Sequence, residues 1–281
     1  MDGSQHPITF RRVSGGIGAE VQGLDIQAGV SDETIAHLRR AWLEHEVLFF
    51  RDQELGIQQF FDFASRFGEV DEYPFVTGLP ENPKVIPILK LAHEKKNFGG
   101  VWHADTAYLQ RPPMATMLIA RELPPYGGDT LFASGTRAYD ALSDGMKQLL
   151  DGLHAVNTSA KADVTGTRED RLRDSRRSDA REVYEAEHPV VRTHPKTGKK
   201  TLFVSTAHTS RFAGMTEAES APLLNYLFEH QVRPEFTCRF SWRPGSIAFW
   251  DNRCTLHNPV NDYHGHKRLL HRVTLKGEKP A

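Results

Sequence analysis

A chain of 281 residues, 39% of them hydrophobic, is long enough to bury a large core. Its net charge of -1 offers no basic field for nucleic acid or an anionic membrane surface, and no apolar run reaches the length that crosses a bilayer. Two cysteines, Cys238 and Cys254, make no disulfide framework, and residues 1–7 carry no basic-then-apolar leader, so the expectation is a cytoplasmic protein with buried thiols.

Near the start, Gly15-Gly16-Ile17-Gly18-Ala19 lacks the third glycine and the following helix of a nucleotide loop, and reads as a turn between two strands. Residues 31–45 read as a helix capped by Ser31, with Ile35, Leu38 and Trp42 at helical spacing, running into the short buried strand Val47-Leu48-Phe49-Phe50. Residues 55–67 form a second amphipathic helix whose stripe of Phe60, Phe63, Ala64 and Phe67 is core rather than a cofactor contact. A loop at 94–100 leads into Val101-Trp102-His103-Ala104-Asp105-Thr106, read as a strand. Residues 115–120 are a central strand, 124–130 a turn into Leu131-Phe132, and 143–153 another helix. The stretch 161–187, dense in Arg, Asp and Glu, reads as a solvated helix or loop, or as a lid over a site that must exclude water.

The last third continues with a strand at Leu202-Phe203-Val204. Thr216 and Glu219 then form a capping box for a helix bearing Leu223, Leu224, Leu227 and Phe228. Arg243-Pro244-Gly245 turns into a buried strand, 246–250, whose end delivers His257, and the chain returns through 258–262 to Arg268-Leu269-Leu270-His271-Arg272. Strands rich in Val, Phe and Ile with helices outside predict one domain over 1–281, mainly β with peripheral helices, as a double-stranded β-helix (jelly roll).

On a strand, residues two apart face the same way, so His103 and Asp105 aim at one point. With His257 they supply two imidazoles and one carboxylate, the facial set of non-heme Fe(II) oxygenases, which leaves open positions on the metal. Each piece alone is weak, since His-x-Asp recurs by chance and a lone histidine is more often structural; the conjunction carries the reading. Arg268 and Arg272 share one face of the final strand and suit bidentate binding of carboxylates or other oxyanions.

These residues, with Pro124-Pro125-Tyr126-Gly127-Gly128-Asp129-Thr130 and Trp250-Asp251-Asn252-Arg253, resemble the taurine dioxygenase family of Fe(II)/2-oxoglutarate-dependent dioxygenases along nearly the whole chain. The resemblance implies that His103, Asp105 and His257 hold Fe(II), and that Thr130 and Arg268 bind the far carboxylate of 2-oxoglutarate. It also implies that Arg272 and the backbone N–H of Thr106 face an anionic primary substrate. The reaction it implies consumes O2 and 2-oxoglutarate, releases succinate and CO2, and hydroxylates a C–H bond. Asp105 stands where related halogenases carry a small residue, which speaks against halogenation.

Departures from the family pattern bear on the substrate. Tyr73 stands where the taurine enzyme has a sulfonate-binding histidine, Val76 where it has a tyrosine, and Phe98 and Gly99 where it has polar amine contacts. A hydrophobic or aryloxy carboxylate, an alkyl sulfate or a sulfonate is expected rather than taurine itself. The alternatives are a taurine or sulfonate dioxygenase proper, a non-catalytic metal-binding jelly roll, and a zinc hydrolase. The last lacks an acidic general base beside His103. By the same resemblance the protein is expected to be a homo-oligomer, a dimer or tetramer, with no nucleic-acid or membrane partner.

Overall fold

A computed structural model describes residues 7–72, 76–97, 99–161 and 183–281. The chain opens with β1 (Thr9–Arg12), β2 (Ala19–Gln22), α1 (Asp32–His45), β3 (Val47–Phe50), α2 (Ile57–Ser65) and β4 (Ile86–Lys90). It continues through β5 (Ala115–Glu122), β6 (Thr130–Ser134), α3 (Gly135–Asp140), α4 (Asp144–Leu150), β7 (His154–Thr158), β8 (Glu185–Pro189), β9 (Val191–Thr193) and β10 (Lys200–Leu202). The remainder is β11 (Thr209–Phe212), α5 (Glu217–Gln231), β12 (Thr237–Phe240), β13 (Ile247–Asp251), β14 (Thr255–Pro259) and β15 (Arg268–Leu275).

The larger sheet runs β1-β2-β3-β13-β5-β15-β4, antiparallel except where β2 meets β3. Across from it stands the antiparallel sheet β12-β6-β14. Alternation along the strands sorts the side chains. Leu48, Phe50, Met117, Ile119, Phe249 and Val273 meet Trp42, Phe60, Phe63 and Phe67 of the helical layer. Val47, Phe49, Leu118, Ala248, Trp250 and Leu270 point the other way and pack with Phe132 and Phe240 between the sheets. Covered on both faces, β3, β5 and β13 read as continuous apolar runs. Stacked pairs join the layers, Trp42 on Phe249 at 4.5 Å and Phe49 on Phe240 at 4.1 Å. A further cluster gathers Ala138, Leu150, Val190, Phe212, Leu224 and Leu227 around α3, α4 and α5.

Local signals behave as their chemistry requires. The Ser31 hydroxyl accepts from Thr34 N–H at the start of α1, and Thr216 with Glu219 closes the capping box of α5. The early glycines form the turn between β1 and β2, and both cysteines are buried thiols.

Several expectations need correction. Residues 101–106 are not a strand: one bridge at His103 is followed by a turn in which Thr106 takes φ 42°. His257 lies on β14 of the second sheet and not at the end of β13. The strand expected at 202–204 is β10, ending at Leu202, and the helix expected over 143–153 is α4, preceded by α3, for which the sequence reading had no element. Of the charged stretch 161–187, residues 162–182 lie outside the described residues, while its end belongs to β8, paired with β7.

Candidate metal centre

The cavity between the two sheets is lined by His103, Asp105, Thr130, His257, Arg268 and Arg272, together with apolar walls from Ile88, Leu118, Trp250, Pro259 and Leu270. His103 comes from the loop after β4, Thr130 from β6, His257 from β14, and both arginines from β15. Backbone pairing joins the two histidines: His103 N–H donates to the His257 carbonyl at 3.1 Å, and His257 N–H returns the bond at 2.8 Å. Ligand-capable atoms of His103, Asp105 and His257 all lie within 4.8 Å of one another.

Each group is held from behind. His103 Nδ1–H donates to the Val101 carbonyl at 2.7 Å, which leaves Nε2 unprotonated and facing Asp105 Oδ1 at 3.9 Å. Asp105 Oδ2 accepts the Thr116 hydroxyl at 2.6 Å, and Thr116 Oγ1 in turn accepts from Asn252 Nδ2 at 3.0 Å. Trp250 Nε1–H fixes the Asn252 amide by donating to its Oδ1 at 2.9 Å. Asp105 Oδ1 stays turned toward the imidazoles and meets Arg272 Nη2 at 3.0 Å. Gly99, at φ +72°, packs against the His103 ring, and a Cβ there would meet its Cε1 at 2.8 Å.

The protonation states favour metal binding. Burial pushes both imidazoles below their ordinary range. Burial alone would raise the Asp105 carboxyl, but the Arg272 guanidinium and the Thr116 hydroxyl hold it well below the usual carboxylate range. Two neutral imidazoles and one carboxylate, deprotonated without metal, are the donor set that suits a divalent iron site.

Thr130 Oγ1 accepts from Trp242 Nε1 at 3.0 Å, so its own proton remains to be donated. Arg268 is 4% exposed, and its Nε and Nη2 find no hydrogen-bond partner among the described residues. The guanidinium lies against Gly128, at φ +70°, where a Cβ would come within 3.1 Å of Nε. A buried, under-satisfied fork beside a hydroxyl donor is a receptor for a carboxylate.

The remaining expected contacts are less central. Thr106 is buried behind Asp105, Val76 is half-buried and outside the set that lines the cavity, and Tyr73 and Phe98 lie outside the described residues. Sequence reasoning missed Thr116, Asn252 and Trp242 as props. It also missed His208, a buried imidazole whose ring is 5.9 Å from that of His103 and whose pKa burial lowers to about 3. Thr116 was hidden in an apolar strand run, where a threonine reads as β-propensity.

A second buried group, His194, Asp251 and Cys254, is also close enough for a metal, but its atoms are already committed. His194 Nδ1 accepts from Lys196 and Thr197 N–H, its Nε2–H donates to Asp251 Oδ2 at 3.0 Å, and Arg253 clamps the same carboxylate through Nε and Nη2. Burial raises the Cys254 thiol well above its ordinary value. This network braces the turn between β13 and β14.

The family model described as Taurine catabolism dioxygenase TauD, TfdA family matches residues 9–274. An alkylsulfatase of Acinetobacter baylyi is 35% identical over 96% of this chain and 86% of its own length. An alpha-ketoglutarate-dependent sulfate ester dioxygenase of Pseudomonas putida is 35% identical over 96% of this chain and 89% of its own. The crystal structure of a taurine dioxygenase from Burkholderia xenovorans superposes with a TM-score of 0.82 at 36% identity, covering 98% of this chain and 92% of the other.

Proposed function

Because the chain belongs to the TauD, TfdA family of dioxygenases, we propose that the cavity between its sheets is the active site of a 2-oxoglutarate-dependent oxygenase. The protein is an oxidoreductase that uses Fe(II), 2-oxoglutarate and O2 on a small organic anion. The observation that carries the residue assignment is the coincidence, in one cavity, of a deprotonated His–Asp–His set with two buried arginines. When bound, ferrous iron with 2-oxoglutarate and dioxygen supplies C–H hydroxylation, with succinate and CO2 as coproducts.

The chain's own residues set up that chemistry. His103, Asp105 and His257 hold the metal from one side, with Thr116 and the Val101 carbonyl fixing two of them in orientation. Arg268 and the Thr130 hydroxyl receive the far carboxylate of the cosubstrate. Arg272, four residues on along the same face of β15, reads the anionic group of the primary substrate, and the N–H of Thr106 assists. Its guanidinium is ion-paired with Asp105, so the incoming anion shares a cation already fixed in direction. The walls of Ile88, Leu118 and Leu270 keep water away and favour an apolar substrate body.

The substrate class we assign is a hydrophobic or aryloxy carboxylate, an alkyl sulfate or an alkyl sulfonate, with sulfate esters supported by the two relatives at 35% identity. Hydroxylation of the carbon that bears a sulfate oxygen leaves a species that collapses to an aldehyde and inorganic sulfate. We assign the whole chain, 1–281, to one catalytic domain, acting in the cytoplasm as a dimer or tetramer; among the described residues no helix is long and apolar enough to cross a membrane.

The test is succinate formation and oxygen uptake with Fe(II), ascorbate and 2-oxoglutarate against taurine, alkyl sulfates, alkyl sulfonates and aryloxyalkanoates. Strong stimulation by one of the last three classes is the expected result. Stimulation by taurine alone would overturn the substrate reading drawn from Tyr73, Val76 and Phe98.

A further inference from the structure

On the face of the larger sheet that looks into the cavity, β4 and β15 pair with Lys90 opposite Arg268, Ile88 opposite Leu270 and Ile86 opposite Arg272. Ile88, Arg268, Leu270 and Arg272 line the cavity, so Lys90, two residues beyond Ile88 and just past that lining, stands on the same face of the sheet beside Arg268. Lys90 is 3% exposed, and among the described residues its Nζ has no hydrogen-bond partner, a condition it shares with Nε and Nη2 of Arg268. Its Nζ lies 4.3 Å from the ring centroid of Tyr263, and Arg268 Cζ lies 5.8 Å from the same ring. The acid that acts on Lys90 is Glu94, whose Oε2 already accepts the Leu91 N–H.

Two neighbouring cations with unmatched donors, both out of water, are costly unless an anion joins them. A single carboxylate has two oxygens and about four acceptor positions, enough for a guanidinium, an ammonium and the Thr130 hydroxyl. We propose that Lys90 is a second cation for the far carboxylate of 2-oxoglutarate and binds it jointly with Arg268. The proposal rests on the assignment of Arg268 to that carboxylate. The guanidinium fork fixes the direction of the carboxylate, and the ammonium supplies charge without fixed geometry. The pair favours dianionic 2-oxo acids over those that lack the second carboxylate.

The experiment is calorimetric titration of 2-oxoglutarate into anaerobic, Mn(II)-loaded protein, with the melting temperature of the ligand-free protein measured alongside. Lys90→Met is expected to bind 2-oxoglutarate at least tenfold more weakly (about 1.4 kcal/mol) while melting no lower than wild type, because an unmatched buried charge has been removed. Lys90→Arg should stay within threefold of wild type, and 2-oxobutyrate, without the far carboxylate, should bind wild type and Lys90→Met alike. A Lys90→Met protein with a lowered melting temperature and unchanged affinity would show that the side chain only props Tyr263, and would overturn the proposal. Unchanged binding by Arg268→Met would instead overturn the underlying assignment; loss in Arg268→Met with none in Lys90→Met would overturn the role of Lys90 alone. If Lys90→Met does not fold, Lys90→Gln serves for the same comparison.

Discussion

Asp105 takes the Thr116 hydroxyl on one oxygen and the Arg272 guanidinium on the other. Thr116→Val keeps the volume, removes the donor, and leaves Asn252 Nδ2 without its acceptor. Loss of such a supporting contact should weaken metal binding 10- to 100-fold, on the order seen for outer-shell partners, measured by competitive metal titration. An unchanged affinity would mean that the Arg272 guanidinium and the backbone hold Asp105 without the hydroxyl. That His103, Asp105 and His257 meet was legible in the sequence, although the local geometry that singled out His103 and Asp105 was not. His103 sits at an isolated bridge and Asp105 on the turn after it rather than both on one pleat, and they converge because Thr116 and the Val101 carbonyl orient them separately. The Thr116–Asn252–Trp250 chain reaches from β5 to Asn252, 136 residues further on, so no spacing in the sequence announces the link to Thr116.

At the scale of elements, β15 carries two arginines at one face while His271 and Val273 turn to the other side. Arg268→Ala should raise mainly KM for 2-oxoglutarate, and Arg272→Ala mainly KM for the primary substrate. Steady-state kinetics with each varied in turn checks this, and the same cosubstrate defect in both variants would refute the division. Packing sets the other expectation. Phe249 on β13 is fully buried and stacks on Trp42, so Phe249→Ala should cost about 3–5 kcal/mol in urea unfolding. Helices with chemical caps were legible where the cap sits, α1 to within a residue at both ends and α5 at its start. The six-residue α3, opening on a glycine, has too few turns to show a periodic stripe. β14 was lost because its residues, Thr255 to Pro259, include a single aliphatic side chain and follow β13 after a short turn made by buried Asp251 and Arg253.

Across the whole molecule, Glu46 joins layers. Its carbonyl accepts from Asp251 N–H of β13 at 3.0 Å, while its carboxyl meets the hydroxyls of Ser134 and Thr136. Burial raises this carboxyl to about 7, against the lowering effect of those hydroxyls. An acid whose folded pKa lies above its unfolded value binds its proton more tightly when folded. Its contribution is therefore complete below about pH 4.5 and is lost as pH climbs to about 7, a cost of up to about 3 kcal/mol. Glu46→Gln, which cannot ionise, should melt a few degrees above wild type at pH 8 and level with it at pH 4.5; equal melting curves at both values would place the carboxyl in water. Fold class was legible at this scale because continuous apolar strands need cover on both faces. The layer that Glu46 links was not, since a glutamate after a helix reads as surface.

The reciprocal backbone bonds between His103 and His257 have a last consequence. Two donors separated by over half the chain are brought together by sheet pairing before any ion arrives, so closing that long loop is a cost met by folding and not by the metal. The centre then behaves as a cup rather than a rivet. A chelator should empty it without unfolding the chain, the melting temperature falling only by what the ion's binding had added, and a different divalent ion should refill it in native buffer without any unfolding step.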